Sequence, residues 1–345
     1  MRFANWLLRT ATAAILFFGG SSLKAQQYTF TSFDVPGGTF TYGFGVNTTG
    51  QISGTYYDGG WHGYLRSADG NTFTTFDYPG AVGFTIAHGL NDSGQVIGTY
   101  PYDAAGNGFL RSGDGSTFTN FDDPSAFGVS NGGGFGSPTR GINNSSQIVG
   151  YYYTGDAYHG FLRSSDGSTF TDINYPSEPA STTAWGINNS GQIVGWFFDG
   201  SSFHGFLRSG DGSTFTNIDD PSAGPSGTTA IGINDAGQVV GGYTDASGNP
   251  HGFLRSIDGS SFTSIDFPGA GSGGTQALGI NNSGQIVGIY FDSNGNQHGF
   301  ITSAVPIYPT NKDQCKDDGW KQLAHPDGTP FKNQGDCIQF VNTGK

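Results

Sequence analysis

The residues of this chain best equipped for chemistry come in rows. His62, His159, His204, His251 and His298 each stand before Gly-Phe or Gly-Tyr, and Asn107 holds the same place in one further copy. A second row, Arg66, Arg111, Arg163, Arg208 and Arg255, follows a few residues later, and aspartates recur between the rows. Repeated imidazoles suggest a metal centre or a proton relay, and repeated carboxylates suggest glycoside chemistry. Other marks of an enzyme are missing. The chain has a single glutamate, Glu178, and no phosphate-binding glycine loop. Whether the rows can act depends on the elements that carry them.

Those elements repeat. The phrase Gly-Ile-Asn-Asn-Ser-Gly-Gln-Ile-Val-Gly returns with small changes, its first Asn falling at Asn47, Asn91, Asn143, Asn188, Asn234 and Asn281. The spacings are 44, 52, 45, 46 and 47 residues, the length that four short strands with turns require. In the fourth copy the expected strands are 182–188, 192–198, 204–209 and 214–219, separated by Asn188-Asn-Ser-Gly191, Asp199-Gly-Ser-Ser202 and Asp211-Gly212. The sixth copy stops at Ser303 without its fourth strand, while Tyr28–Pro36 matches the fourth strand of the first copy, Asn71–Pro79. The pattern predicts an all-β fold: a six-bladed β-propeller of four-stranded antiparallel blades over 26–303, closed by its N-terminal strand.

On such a scaffold the histidines cannot share a metal. Strands lie about 4.8 Å apart, so third strands sit roughly 15 Å from the axis and from one another, whereas Zn–N bonds are about 2 Å. Hairpin register instead sets His62 opposite Asp77, His204 opposite Asp219 and His251 opposite Asp266, with His298 facing Asp34 across the closure, Asn107 facing Asp122 and His159 facing Asn174. We therefore expect structural His–Asp rungs, buried and hydrogen-bonded. The same register sets the repeated arginines opposite Phe73, Phe118, Phe170, Phe215 and Phe262, where each guanidinium can cover a ring. Asn-x-Ser and Asn-x-Thr triplets at the first turns are formal glycosylation sequons, and read more economically as turn residues.

The His-Gly-Phe-Leu-Arg-Ser phrase at His62, His159, His204 and His251, together with Gly-Ile-Asn-x-x-Gly-Gln-Ile-Val-Gly, resembles the bacterial HAF-type extracellular repeats over residues 28–303. Here Gly replaces the family's middle Ala. The resemblance implies export and a repeat fold, and assigns no chemistry. The Ser209–Phe215 turn is similar to the Asp-box hairpins of sialidase-type propellers but one residue shorter, and is a turn solution only.

Function belongs where the copies differ. The residue before each Gly-Ile-Asn reads Phe44, His88, Arg140, Trp185, Ile231 and Leu278. It lies on the first strand, so these side chains either reach the central channel or pack against neighbouring blades. The connections between copies also vary, up to the long 124–138 loop with Gly132-Gly-Gly134. Trp185 with Arg140, His88 and Phe44 suits a sugar, an aromatic platform with polar neighbours. The turns between second and third strands carry Asp58, Asp103, Asp156, Asp199, Asp245 and Asp292, and of these Asp292-Ser-Asn-Gly-Asn296 offers oxygen ligands suited to weak calcium binding, with no closing glutamate. We expect no cofactor and no other metal.

The ends and the charge give an address. A basic start, an apolar run over 11–18 and Leu23-Lys24-Ala25 have the layout of a secretory signal peptide over 1–25, and no later run is long enough to span a membrane. Residues 26–303 carry 21 Asp plus Glu178 against six Arg and no Lys, a balance of −16. That excludes nucleic acid as a partner. Residues 304–345 form a proline-marked linker and a lysine-bearing module whose Cys315 and Cys337 should form one disulfide in an exported chain, either an attachment module or an inert cap. The expectation is a secreted or periplasmic bacterial protein whose propeller binds a glycan or surface protein. A cell-surface structural or assembly protein and a glycan-active enzyme are the alternatives.

Overall fold

The computed structural model describes residues 10–11, 27–81, 83–102, 105–121, 139–176, 181–305, 309, 312–316, 319–323 and 331–344. Apart from Thr10–Ala11 the leader lies outside them, as do Asp103, Asp122, the 124–138 loop, Glu178 and Pro306. The chain divides into two compact units, Ser32–Ile301 and Met1–Thr31 with Thr302–Lys345.

The larger unit is built from antiparallel sheets of four strands. In the fourth repeat the strands are Thr182–Ile187, Ile193–Phe198, Phe203–Arg208 and Phe215–Ile218, each paired to the next. Counted as hydrogen-bonded sheets, the described strands give five, not six. Three repeats form separate four-stranded sheets, while the fourth and fifth merge into an eight-stranded one. A single parallel pair, Phe203 with Gly227, makes that join, because the fifth repeat's first strand, Ala223–Ile233, begins early enough to run past Phe203. In the remaining sheet the order is Thr10–Ala11, Gln27–Phe33, Gln297–Val305, Ile286–Phe291, Thr275–Ile280. The N-terminal strand thus pairs with the third strand of the sixth repeat. The Ser32 hydroxyl is 2.9 Å from that of Tyr290, and Phe33 shares a buried cluster with Val287, Ile52 and Tyr64.

The recurring residues are those that let repeats pack face to face. A Cβ on Gly195 would stand 2.0 Å from the Thr183 carbonyl and 2.8 Å from the ring of Phe206. That glycine makes room for a fully buried ring in the middle of the sheet. Buried clusters join adjacent repeats: Val149 and Ile173 pack with Ile187, Ile193 and Phe206, and Val194 and Ile218 with Ile233, Val239 and Phe253.

The arginine row also works between repeats, which corrects the expected pairing. Arg66 faces Phe73 in register, yet its guanidinium lies over Phe33, 4.9 Å from the ring centroid. Arg111 covers Phe76 at 4.7 Å and Arg163 covers Phe121 at 4.4 Å, each ring belonging to the preceding repeat's outer strand. Where that position holds Ile173 or Ile218, Arg208 and Arg255 are less buried. The side chain extends along the blade face, so its tip reaches the neighbour and not the residue opposite its own Cα. The turn between third and fourth strands is wider than the two-residue hairpin expected. It spans Ser209–Thr214 in the fourth repeat, and the Asp211 carboxylate accepts from the Ser209 hydroxyl and the Ser213 amide.

In the smaller unit Cys315 and Cys337 form a disulfide beside Phe331, Trp320 and Phe340. Helix Gln334–Thr343 is capped by Asn333, whose side chain accepts from the Asp336 amide. No helix among the described residues is long and apolar enough to cross a membrane.

Candidate binding site

The first strands position the variable residues by a shared irregularity. In every repeat the ladder between first and second strands slips by one residue. In the fourth, Ala184 pairs with Gly195 and Gly186 with Val194, so Trp185 is the extra residue. Phe44, Arg140, Ile231 and Leu278 occupy the same bulge, and His88 with Gly89 opposes Ile97 alone. A bulge leaves its residue outside the ladder and re-aims the side chain.

The glycine after each bulge brings the next repeat close. A Cβ on Gly141 would lie 2.7 Å from the Trp185 carbonyl, and one on Gly186 2.6 Å from that of Ile231. Gly279 stands in the same relation, 2.5 Å, to Phe44 of the first repeat. Two residues on, the asparagine side chains bridge repeats: Asn143 donates to the Asn188 carbonyl, Asn188 to that of Asn234, Asn234 to that of Asn281 and Asn281 to that of Asn47, at 2.9–3.2 Å. These asparagines are 3–4% exposed and also accept from their own turn amides, so the formal sequons are occupied as turn structure. Around the same mouth Thr48, Asp92, Asn144, Asn189, Asp235 and Asn282 rim a small depression of about 80 Å³ and bond one to the next.

The bulged side chains of the first four repeats meet. Phe44 makes an edge contact with His88, ring centroids 4.8 Å apart. Nη1 of Arg140 is 3.0 Å and 3.2 Å from the two ring nitrogens of His88, and Nη2 donates to the Tyr151 hydroxyl at 2.9 Å. The guanidinium lies over Trp185, 4.3 Å from its ring, and the indole N–H donates to Thr183 at 3.0 Å. Burial, then the neighbouring Arg140 charge, hold the His88 pKa well below its ordinary value. His88 is therefore neutral at pH 7 and accepts from the guanidinium. It is buried, while Phe44, Arg140 and Trp185 are partly exposed. The other two bulges carry Ile231 and Leu278.

Sequence reasoning missed the aromatics that extend this cluster. Tyr42 stacks on Phe44 at 5.3 Å and reaches Trp61 at 5.9 Å, which meets Tyr57 at 5.1 Å. Tyr151 leads to Tyr158 at 5.6 Å. The signal was present. The residue after the second-strand glycine reads Thr55, Thr99, Tyr151, Trp196, Gly242 and Ile289, nearly as variable as the bulge itself.

The histidine row lies elsewhere. Nδ1 of His62 is 2.8 Å from Asp77, that of His204 2.9 Å from Asp219, that of His251 3.0 Å from Asp266 and that of His298 2.9 Å from Asp34. His159 faces Asn174 at 2.8 Å. These groups are not buried as expected: His side chains are 23–27% exposed and their partners 38–44%. Each Nε2 also approaches a second carboxylate, Asp58, Asp199, Asp245 or Asp292, at 3.2–3.6 Å. Asp292, the calcium candidate, meanwhile accepts from the amides of Asn294 and Asn296. Its oxygens are engaged by its own loop.

The sheets and the ring of first strands define a β-propeller. The chain is similar to the crystal structure of TolB from Acinetobacter baumannii (TM-score 0.51, 9% identity, 74% of this chain and 64% of that one). This chain thus spans just under two thirds of that protein. It is also similar to a putative TolB from Agrobacterium tumefaciens (0.51, 13%, 78% and 91%) and to the Aleuria aurantia lectin in complex with Fucalpha1-6GlcNAc (0.51, 14%, 77% and 96%). At these identities the likeness is one of fold. No family model matches the chain, and no curated protein matches it in sequence.

Proposed function

We propose that this is an exported, HAF-type binding propeller of six blades that holds a glycan at the Phe44–His88–Arg140–Trp185 cluster. The observation that carries the reading is the meeting of four unlike side chains from four repeats through a bulge that every repeat shares, on a body whose other contacts recur. A partly exposed indole and phenyl flanked by fixed polar groups suit the apolar face and hydroxyls of a sugar. Tyr42, Trp61, Tyr151 and Tyr158 continue the aromatic surface outward, which favours a chain of sugars over one. The lectin of like fold is recorded with a fucose-containing disaccharide, so a propeller of this kind can serve glycan binding. Six blades are supported by the glycine contacts that run from each repeat to the next and from Gly279 back to Phe44. Export is supported by the leader-like start and the disulfide.

The test is a polysaccharide panel probed with the intact protein and with Trp185→Ala. The native chain should retain at least one glycan, and the variant should lose it while keeping its melting temperature. Undiminished binding by the variant, or no binding to any glycan by the folded protein, would refute the site.

A further inference from the structure

Arg140 departs from every other arginine of the propeller. Those of the repeated row each lie near the turn aspartate of their own repeat, as Arg208 does to Asp211 and Arg66 to Asp69. Arg140 occupies a bulged first strand instead, and among the described residues it forms no ion pair. Its partners are uncharged: the neutral His88, the Tyr151 hydroxyl and the Trp185 ring. A guanidinium has five N–H donors. One on each terminal nitrogen is used, and Nε is buried without a partner. One N–H on each terminal nitrogen is left for something else, on a body with a balance of −16 over residues 26–303. An isolated cation in such a body is costly to leave unmatched unless a ligand matches it.

Resting on the glycan reading above, we infer that the ligand presents a carboxylate to Arg140, as a uronic acid does. Trp185 and Phe44 take the apolar face of the same or the adjoining sugar. His88 and Tyr151 hold the guanidinium in one orientation, so its remaining donors are fixed before the ligand arrives. The acidic body sets the ligand's form. A densely charged polyanion would be repelled over a Debye length of about 8 Å, whereas one uronate on an otherwise neutral chain meets the single cation without that penalty.

The experiment compares, by calorimetry on the intact protein, a neutral oligosaccharide ending in one glucuronic acid with the same compound after reduction of its carboxyl group. Charged hydrogen bonds of this kind predict an acid form bound at least about tenfold more tightly. Arg140→Gln should bring the two forms within about twofold of each other, and Trp185→Ala should weaken both. Equal affinity of the native protein for the two forms overturns the inference, and this comparison does not depend on any variant folding. A preference that survives in folded Arg140→Gln also overturns it. In either case Trp185-dependent binding of the neutral form would leave the glycan site standing. Failure to bind either form overturns the carboxylate, and the wider panel then decides the glycan reading separately.

Discussion

His204 illustrates how much one side chain can do without being a site. It bridges the outer-strand Asp219 and the turn residue Asp199. Partial burial lowers its pKa, but the hydrogen bonds and charges of Asp219 and then Asp199 outweigh burial and raise it. Because the group is partly exposed, solvent screens the pair, and His204→Ala should cost about 0.5–1 kcal/mol, less than a buried rung would. Asp219→Asn should cost less still, since the third repeat already pairs His159 with Asn174. Chemical denaturation of both variants tests the order, and lost glycan binding at unchanged stability would mean that the histidines serve the ligand. Asp219 could be read from the sequence because the Asp211-Gly212 turn sets the register. Asp199 could not. The second acceptor precedes its histidine by four residues at Asp58, five at Asp199 and six at Asp245 and Asp292, so loop length hides the pairing.

At the scale of the strand, the bulge is what the sequence concealed. Alternation and the constant Gly-Ile-Asn phrase mark a first strand, but a period of two fits a regular strand and a bulged one alike over so few residues. The variable residue could therefore be placed on the strand, yet its direction, and the meeting of Arg140 with His88 and Trp185, required the ladder itself. The constant glycine that follows has a definite cause. In Gly186→Ala the new methyl would meet two groups, the Ile231 carbonyl at 2.6 Å and a Val194 methyl at 2.9 Å. One of them is backbone, so relief requires neighbouring repeats to separate. We expect a loss of about 2–3 kcal/mol. Gly242 supplies the contrast. It lies in a second strand outside the left-handed region, and a Cβ there would sit 3.4 Å from its nearest neighbour, an ordinary contact. Gly242→Ala should be neutral or slightly stabilising through the unfolded chain. Equal melting temperatures for the two variants would mean that the close approach between repeats is not what fixes this glycine.

The whole molecule sums these local choices into a pH profile. Asp69, Asp114, Asp166, Asp211 and Asp258 are held at about 2, first by the serine hydroxyl two residues earlier and then by the amide two residues on. A depressed carboxylate adds stability that is complete above its unfolded value, near 3.8, and disappears as pH falls toward 2. His204 and His251 move the opposite way. Both are raised above 6.5, the aspartates outweighing partial burial, so their contribution is complete below 6.5 and fades as pH rises through the folded value. Self-repulsion of a body with a balance of −16 over residues 26–303 works in the same direction at high pH. The windows overlap between roughly pH 4 and 6.5, and the melting temperature should peak there, near pH 5. Five repeated turns should make the acid limb steep, because equivalent carboxylates titrate together and each blade depends on its neighbours. Calorimetric scans from pH 2.5 to 9 at fixed ionic strength will trace the curve. Replacing His204 and His251 together by Gln should flatten its alkaline limb and leave the acid limb in place. A melting temperature that still climbs from pH 5 to 8 would show that the carboxylate-paired histidines do not set the upper edge.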